Sequence, residues 1–178
     1  MDSDIYLPNE DSYLLSETLR KRIPELLKEN YEPKILEIGI GSGIQLETLK
    51  NIGVKNIFGS DINAKAVKIC RSKGFNCVKS DLFNRIKGKF DIIIFNPPYL
   101  PLDGSEPKES RMATTGGKNG SEIINNFLRQ AKNYLNENGK IFLLTSSLTI
   151  GINWKDYEKK LISKKKLFFE ELFVWELG

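Results

Sequence analysis

The sequence contains no histidine, which removes at once the commonest general base near neutral pH and the commonest metal ligand. Any chemistry must proceed without imidazole, and no metal site is expected. Cysteine is nearly absent too: Cys70 and Cys77 are the only two in 178 residues, fit no CxxC pair or zinc spacing, and cannot form a disulfide scaffold. A reducing, cytosolic setting is the natural expectation. No apolar run approaches the ~18 residues of a membrane span, and Met1 to Tyr6 carries two aspartates where a signal peptide needs positive charge. The sequence therefore points to a soluble, cytoplasmic protein. Nor does one sign of charge dominate, because 27 Lys and Arg against 23 Asp and Glu leave a formal charge of only +4. That excess is too small and dispersed to demand a nucleic-acid partner. The clearest basic cluster, Lys159, Lys160, Lys164, Lys165 and Lys166, could form a phosphate-facing patch but reads more readily as a solvated helix end. With no internal repeat, low-complexity tract or linker, one domain over 1–178 is expected, comprising an N-terminal helical segment 1–33 and an α/β core 34–178.

The pattern that is present alternates strands with helices. Leu14, Leu15, Leu19, Ile23, Leu26 and Leu27 recur at helical spacing, with Pro24 expected to kink the helix or start its second piece. After Pro33, Lys34 to Ile38 reads as a strand, Gly39 to Gly43 as a glycine-rich turn and Ile44 to Asn51 as a helix. The cycle repeats with strand Asn56 to Ser60, helix Ala64 to Lys73 capped by Asn63, strand Asn76 to Lys79 and strand Phe90 to Phe95. Ile92 to Phe95 is apolar at every position, as a strand covered on both faces should be. A polar loop follows from Pro97 to Gly120, then a helix from Ser121 to Leu135 and a strand from Lys140 to Thr145. Trp154 to Ser163 looks helical, and Leu167 to Leu177 reads as one strand or two short ones. The whole indicates a doubly wound, mostly parallel α/β sheet.

In such sheets ligands settle at the C-terminal ends of the strands. Glu37, Gly39, Gly41 and Gly43 close strand one, where glycines let the backbone turn tightly and approach a ligand beside a helix N-terminus. Many nucleotide-binding proteins and ordinary turns share that feature. Asp61 closes strand two, twenty-two residues after Gly39, where a carboxylate can accept from both ribose hydroxyls of an adenosine; alternatively it caps the following helix. Asp81 follows strand three and could take adenine amino hydrogens, with Leu82 or Phe83 covering the ring; alternatively it makes a turn. Asn96, Pro97, Pro98 and Tyr99 follow strand four directly. The prolines fix the backbone and remove two amide donors. An amide or aromatic amino nitrogen is a poor nucleophile, since its lone pair is delocalised, and it must be oriented. The Asn96 side-chain oxygen and the Pro98 carbonyl can each accept one N–H, turning the lone pair toward an electrophilic methyl, while Tyr99 offers an aromatic face for the planar group.

Together these residues resemble the class I S-adenosylmethionine-dependent methyltransferases, and within them the HemK-like branch that methylates glutamine in translation release factors. The resemblance implies a seven-stranded, Rossmann-like fold, S-adenosylmethionine as cofactor and S-adenosylhomocysteine as product. Glu37 to Gly43 then corresponds to the cofactor loop, Asp61 to Asn63 to the ribose motif, Asp81 and Leu82 to the adenine motif, and Asn96 to Tyr99 to the catalytic signature. Pro8 to Leu15 is similar to the N-terminal motif of the short archaeal and eukaryotic type, in which Ser12 would contact the cofactor. Gly116 to Gly120 is similar to that type's glycine-rich loop. Only about thirty-three residues precede the first strand, too few for the helical substrate domain of bacterial relatives. The chain departs from the type at Ala113, Thr114 and Thr115, where an aromatic residue commonly stands. A release factor is the implied substrate. A small zinc-binding activator is an implied partner, adding to an apolar edge near strand three to which Phe75, Cys77 and Phe83 could contribute. The signature also occurs in enzymes that methylate amino groups of adenine or guanine, which would make binding to RNA or DNA salt-sensitive. A nicotinamide-binding protein fits poorly, because the glycine spacing is GxGxG.

Overall fold

The computed structural model describes residues 5–27, 32–104 and 114–178. The start of the acidic N-terminus and Ala113 therefore lie outside the described residues. Asn9 accepts the Glu10 amide at 2.9 Å and starts α1 (Glu10–Leu26). The helix runs on through Pro24 as one piece; Pro24 stands in the last turn and is exposed, and its missing N–H forfeits the bond to the Arg20 carbonyl.

β1 (Ile35–Ile38), α2 (Ile44–Asn51), β2 (Ile57–Asp61), α3 (Ala64–Ser72), β3 (Asn76–Lys79) and β4 (Phe90–Phe95) follow within a residue or so of the sequence reading. A short parallel pair, β5 (Leu100–Pro101) and β6 (Thr115–Gly117), then interrupts what reads in sequence as plain loop. α4 (Glu122–Ala131), β7 (Leu135–Ser146), β8 (Lys159–Lys166) and β9 (Glu171–Leu177) complete the chain.

The main sheet has seven strands in the order β3-β2-β1-β4-β7-β9-β8. β3 to β7 are mutually parallel, and β9 is antiparallel to both of its neighbours. Alternation through the sheet fills both faces. Ile92, Ile94, Phe142 and Leu144 face a core closed by Leu15, Leu19 and Ile23 of α1 and Leu49 of α2. Ile93, Phe95, Ile141 and Leu143 face one closed by Ile124, Phe127 and Leu128 of α4. The crossover between β1 and β4 places the point where strand order reverses at their C-terminal ends.

The C-terminal tail corrects the sequence reading. Trp154 to Ser163 is no helix: a turn closed by Tyr157 N–H to the Trp154 carbonyl at 2.9 Å leads into β8. Trp154 and Tyr157 are spaced as if on a helix but pack from that turn, Tyr157 donating to the Leu128 carbonyl at 2.7 Å. The lysine cluster lies on the edge strand β8, not at a helix end. Charge there protects an exposed strand edge from pairing with other chains. Leu167 to Leu177 yields the single strand β9. Cys70 and Cys77 are both free and buried, and no helix among the described residues is long and apolar enough to cross a membrane.

Candidate active site

The C-terminal ends of β1, β2 and β4, the segment after β3 and the start of α1 enclose a cavity of about 260 Å³. Of the candidate site residues named from sequence, Ser12, Glu37, Gly39, Gly41, Asp61, Asp81, Leu82, Asn96, Pro97 and Pro98 line it, whereas Gly43, Phe83 and Tyr99 do not.

Gly39, Gly41 and Gly43 all have positive φ, at 70°, 47° and 87°. An added Cβ at Gly41 would make only ordinary contact with the Tyr6 carbonyl, at 3.6 Å, so what the turn requires of Gly41 is its left-handed backbone. Its amide donates to Asp61 Oδ2 at 2.9 Å, and the Asn63 amide donates to Oδ1 at 2.7 Å. The capping alternative for Asp61 is thereby settled: Asn63 caps α3, accepting from the Lys65 amide at 2.9 Å, while Asp61 ties the glycine turn to β2. Burial raises the Asp61 carboxyl above its ordinary range, an effect that the Asn63 and Gly41 amides oppose.

Glu37 is 3% exposed on β1. Burial pushes its carboxyl well above the usual range, and Asp61 adds to this, while the first-turn amide of Leu46 works against it. Asp81 is exposed at the cavity rim. Leu82 adopts φ 44°, unusual for a branched side chain. Ser80 holds that turn, donating to the Leu82 carbonyl at 2.9 Å and accepting the Arg85 amide at 3.0 Å. Leu82 therefore lines the cavity, whereas Phe83 is 1% exposed and stacks on Tyr134 and Phe127 in the core. Phe83 thus neither covers a ligand nor contributes to a surface edge.

Asn96, Pro97 and Pro98 line the cavity directly after β4. Asn96 Nδ2 donates to Asp11 Oδ2 at 3.1 Å. Its Oδ1 is buried with no hydrogen-bond partner among the described residues, as is Glu37 Oε2. Buried polar atoms are nearly always paired, so two exceptions on one cavity mark where a ligand would complete the bonding. The Pro98 carbonyl lies against Gly116, where an added Cβ would stand 2.6 Å from it. The glycine-rich loop thus packs backbone to backbone on the catalytic turn.

Tyr99 does not line this cavity, and its partly buried ring packs against both core clusters. Its hydroxyl reaches Asp11 Oδ2 at 3.4 Å, and its backbone is held by Thr114 and Thr149. Ser12 lines the cavity at 3% exposure, its hydroxyl donating to Asp11 Oδ1 at 3.2 Å and its carbonyl accepting from Gln45 at 2.9 Å. Sequence reasoning did not single out Tyr6, Ile123 or Asn126, which also line the cavity, and gave Asp11 no role of its own. Asp11 lies 85 residues from Asn96, a separation that leaves no local signal.

A parallel sheet in this order, with a glycine turn after β1, an acidic residue closing β2 and an Asn-Pro-Pro-Tyr turn after β4, defines a class I methyltransferase. The sequence matches the family described as "Methyltransferase domain" over residues 36–97, and that described as "Eco57I restriction-modification methylase" over residues 72–170. A Methanocaldococcus jannaschii protein carrying the provisional name protein N5-glutamine methyltransferase is 35% identical over 98% of this chain and 93% of its own. The Mus musculus methyltransferase HEMK2 is 32% identical over 80% of this chain and 72% of its own. Among solved structures, the E. cuniculi Mtq2-Trm112 complex, responsible for methylating the translation termination factor eRF1, has a chain 26% identical with a TM-score of 0.72, covering 100% of this chain and 99% of that one. The chain belongs to the HemK-like family of S-adenosylmethionine-dependent methyltransferases.

Proposed function

We propose that the protein transfers a methyl group from S-adenosylmethionine to the side-chain amide nitrogen of a glutamine in a translation release factor, leaving S-adenosylhomocysteine. The buried, unpartnered Asn96 Oδ1 carries this reading. The cofactor, when bound, supplies a methyl carbon made electrophilic by its sulfonium sulfur. The orphaned carboxylate oxygen of Glu37 suits its cationic amino group, and Asp61 keeps acceptor capacity for ribose hydroxyls. Asp81, Leu82 and Ile62 line the part of the cavity suited to the adenine, and Ser12 contributes from α1. Asn96 Oδ1 and the Pro98 carbonyl each accept one hydrogen of the glutamine amide, fixing its plane and aiming the nitrogen lone pair at the methyl. The same acceptors favour the positive charge that grows on nitrogen as the new bond forms and the carbon–sulfur bond breaks. No histidine base is required, because the N-methylated amide is strongly acidic while it carries the charge and gives its extra proton to solvent.

A second reading, methylation of an exocyclic amino group in RNA or DNA, is favoured by the Eco57I match, whose span includes the catalytic turn. The lysines of β8 weigh against it. Lys164 pairs with Glu171, Lys165 with Glu10, and Lys159 lies over Trp154 and Trp175, so three of the five are engaged within the chain. Labelled cofactor offered with a release factor and with total RNA separates the two. Label on the release factor supports the proposal, and label on RNA alone overturns it.

We propose a cytoplasmic setting, where a release-factor substrate acts. We further propose a small activator subunit, of the kind paired with the E. cuniculi Mtq2 chain, on the outer edge of β3. That strand ends the sheet, and such an edge can take another strand. Cys77 and Phe83 are core residues and not part of that surface, leaving the half-buried Phe75.

A further inference from the structure

Asp11 is the most heavily engaged polar group at the cavity that the transfer reaction itself does not use. It lies in the first turn of α1 and is 4% exposed. Its Oδ1 accepts from the Ser12 amide at 2.5 Å and the Ser12 hydroxyl at 3.2 Å. Its Oδ2 accepts from the Tyr6 hydroxyl at 3.0 Å, Asn96 Nδ2 at 3.1 Å and, at longer range, the Tyr99 hydroxyl at 3.4 Å. Every partner donates. Both phenols stay protonated, because burial and then Asp11 itself raise them above the ordinary tyrosine range.

The two ends of the Asn96 amide are nearly equal in shape and opposite in hydrogen-bonding sense. A half-turn about the last side-chain bond exchanges oxygen for NH₂ with little steric change, and a site that must accept an N–H would then present a donor. β4 and the prolines fix where Asn96 stands but cannot choose between these two orientations. A carboxylate can choose, because it only accepts. With Asp11 on one side, the NH₂ must face it and the oxygen must be left over, and Oδ1 is the atom found without a partner.

We infer that Asp11 is a positioning residue that locks the Asn96 amide with its oxygen free for the substrate N–H, Tyr6 and Tyr99 holding the carboxylate in place. This rests on the reading of Asn96 given above and assigns what makes that reading possible. It also gives the first turn of α1 a task at the site.

Asp11→Asn keeps the size of the side chain and removes its acceptor-only character. The Ser12 backbone amide cannot reorient and so retains the single oxygen of the new side chain, turning its NH₂ toward Asn96. Asn96 then has to answer with its own oxygen. Turnover should fall roughly 100-fold, the scale of losing one oriented transition-state hydrogen bond, while cofactor affinity by calorimetry stays close to that of the parent. In an Asn96→Ala background the same change should lower kcat no further, since both act through one group. The Asn96 side-chain NH₂ signals supply a readout independent of turnover. In the unsubstituted protein they should show a proton hydrogen-bonded to carboxylate, shifted downfield and slow to exchange, and in Asp11→Asn that signature should disappear. Parental kcat in Asp11→Asn, a full further loss in the Asn96→Ala background, or unprotected Asn96 NH₂ protons in the unsubstituted protein would each overturn the inference. An unsubstituted enzyme inactive on both release factor and RNA would instead count against the proposed reaction, and the NH₂ signals would still judge Asp11.

Discussion

At the scale of single residues, two polar atoms of the site, Asn96 Oδ1 and Glu37 Oε2, are buried without a partner among the described residues, and each makes a separate prediction. On the proposed mechanism, removing Asn96 Oδ1 takes away an acceptor used chiefly during transfer. Asn96→Ala should therefore lower kcat by roughly 10²–10³ with little change in cofactor affinity, and steady-state kinetics beside calorimetry checks both halves. Glu37 makes the other prediction, through pH. Its carboxyl titrates well above the ordinary range in the folded chain because it is buried, so between the unfolded and folded values the native state holds more protons than the unfolded one. Its contribution to stability is present below the ordinary carboxylate range and is lost as pH rises through the raised value. Glu37→Gln cannot ionise and escapes that loss. The difference in Tm, variant minus parent, should grow with pH across that window, and a difference independent of pH would contradict the assignment. The candidate residues were largely legible in sequence because each closes a strand. The partners around them were not: Asp11 reaches Asn96, and Tyr6 reaches Asp11, only through the packing of α1 and the segment before it.

At the scale of elements, legibility followed how local the cause is. β4 could be read because four consecutive apolar residues need cover on both faces, and Ile92 and Ile94 do oppose Ile93 and Phe95 across the sheet. β8 could not, because it exists through antiparallel pairing with β9, and its Leu161 and Ile162 among lysines carry no clean alternation where the register shifts between Leu161 and Ser163. The short β5–β6 pair was invisible for a similar reason, although its glycines were recognisable. Its role is steric: an added Cβ at Gly116 would stand 2.6 Å from the Pro98 carbonyl and 2.1 Å from that of Gly120, both backbone atoms that cannot swing aside. Gly116→Ala should cost about 1–3 kcal/mol by overpacking and displace the catalytic turn, lowering both Tm and kcat. Gly104→Ala, whose added Cβ meets nothing within 4 Å among the described residues, is the control and should leave both nearly unchanged. Melting curves and turnover on the pair decide the point.

At the scale of the whole molecule, the sheet ends on one side at β3 and on the other at the lysine-bearing β8. Only β8 carries the run of charge that discourages pairing. Phe75 beside β3 is half-buried against a small cluster containing Cys70 and Cys77, with the Lys50 ammonium 5.6 Å from its ring centre. Phe75→Glu should abolish co-purification with a Trm112-type subunit, because a charge would be desolvated in the contact, while Tm of the isolated chain falls only modestly. A marked loss of Tm with pairing retained would make Phe75 a core residue and remove the interface. The central claim, that this fold holds a glutamine amide through Asn96 for methyl transfer, is tested most directly by fragment-ion mass spectrometry of a release factor after reaction with the purified enzyme and S-adenosylmethionine. The account predicts one added methyl group on a glutamine side-chain nitrogen, absent when Asn96→Ala replaces the parent enzyme. A release factor left unmodified by an enzyme that methylates nucleic acid would contradict it.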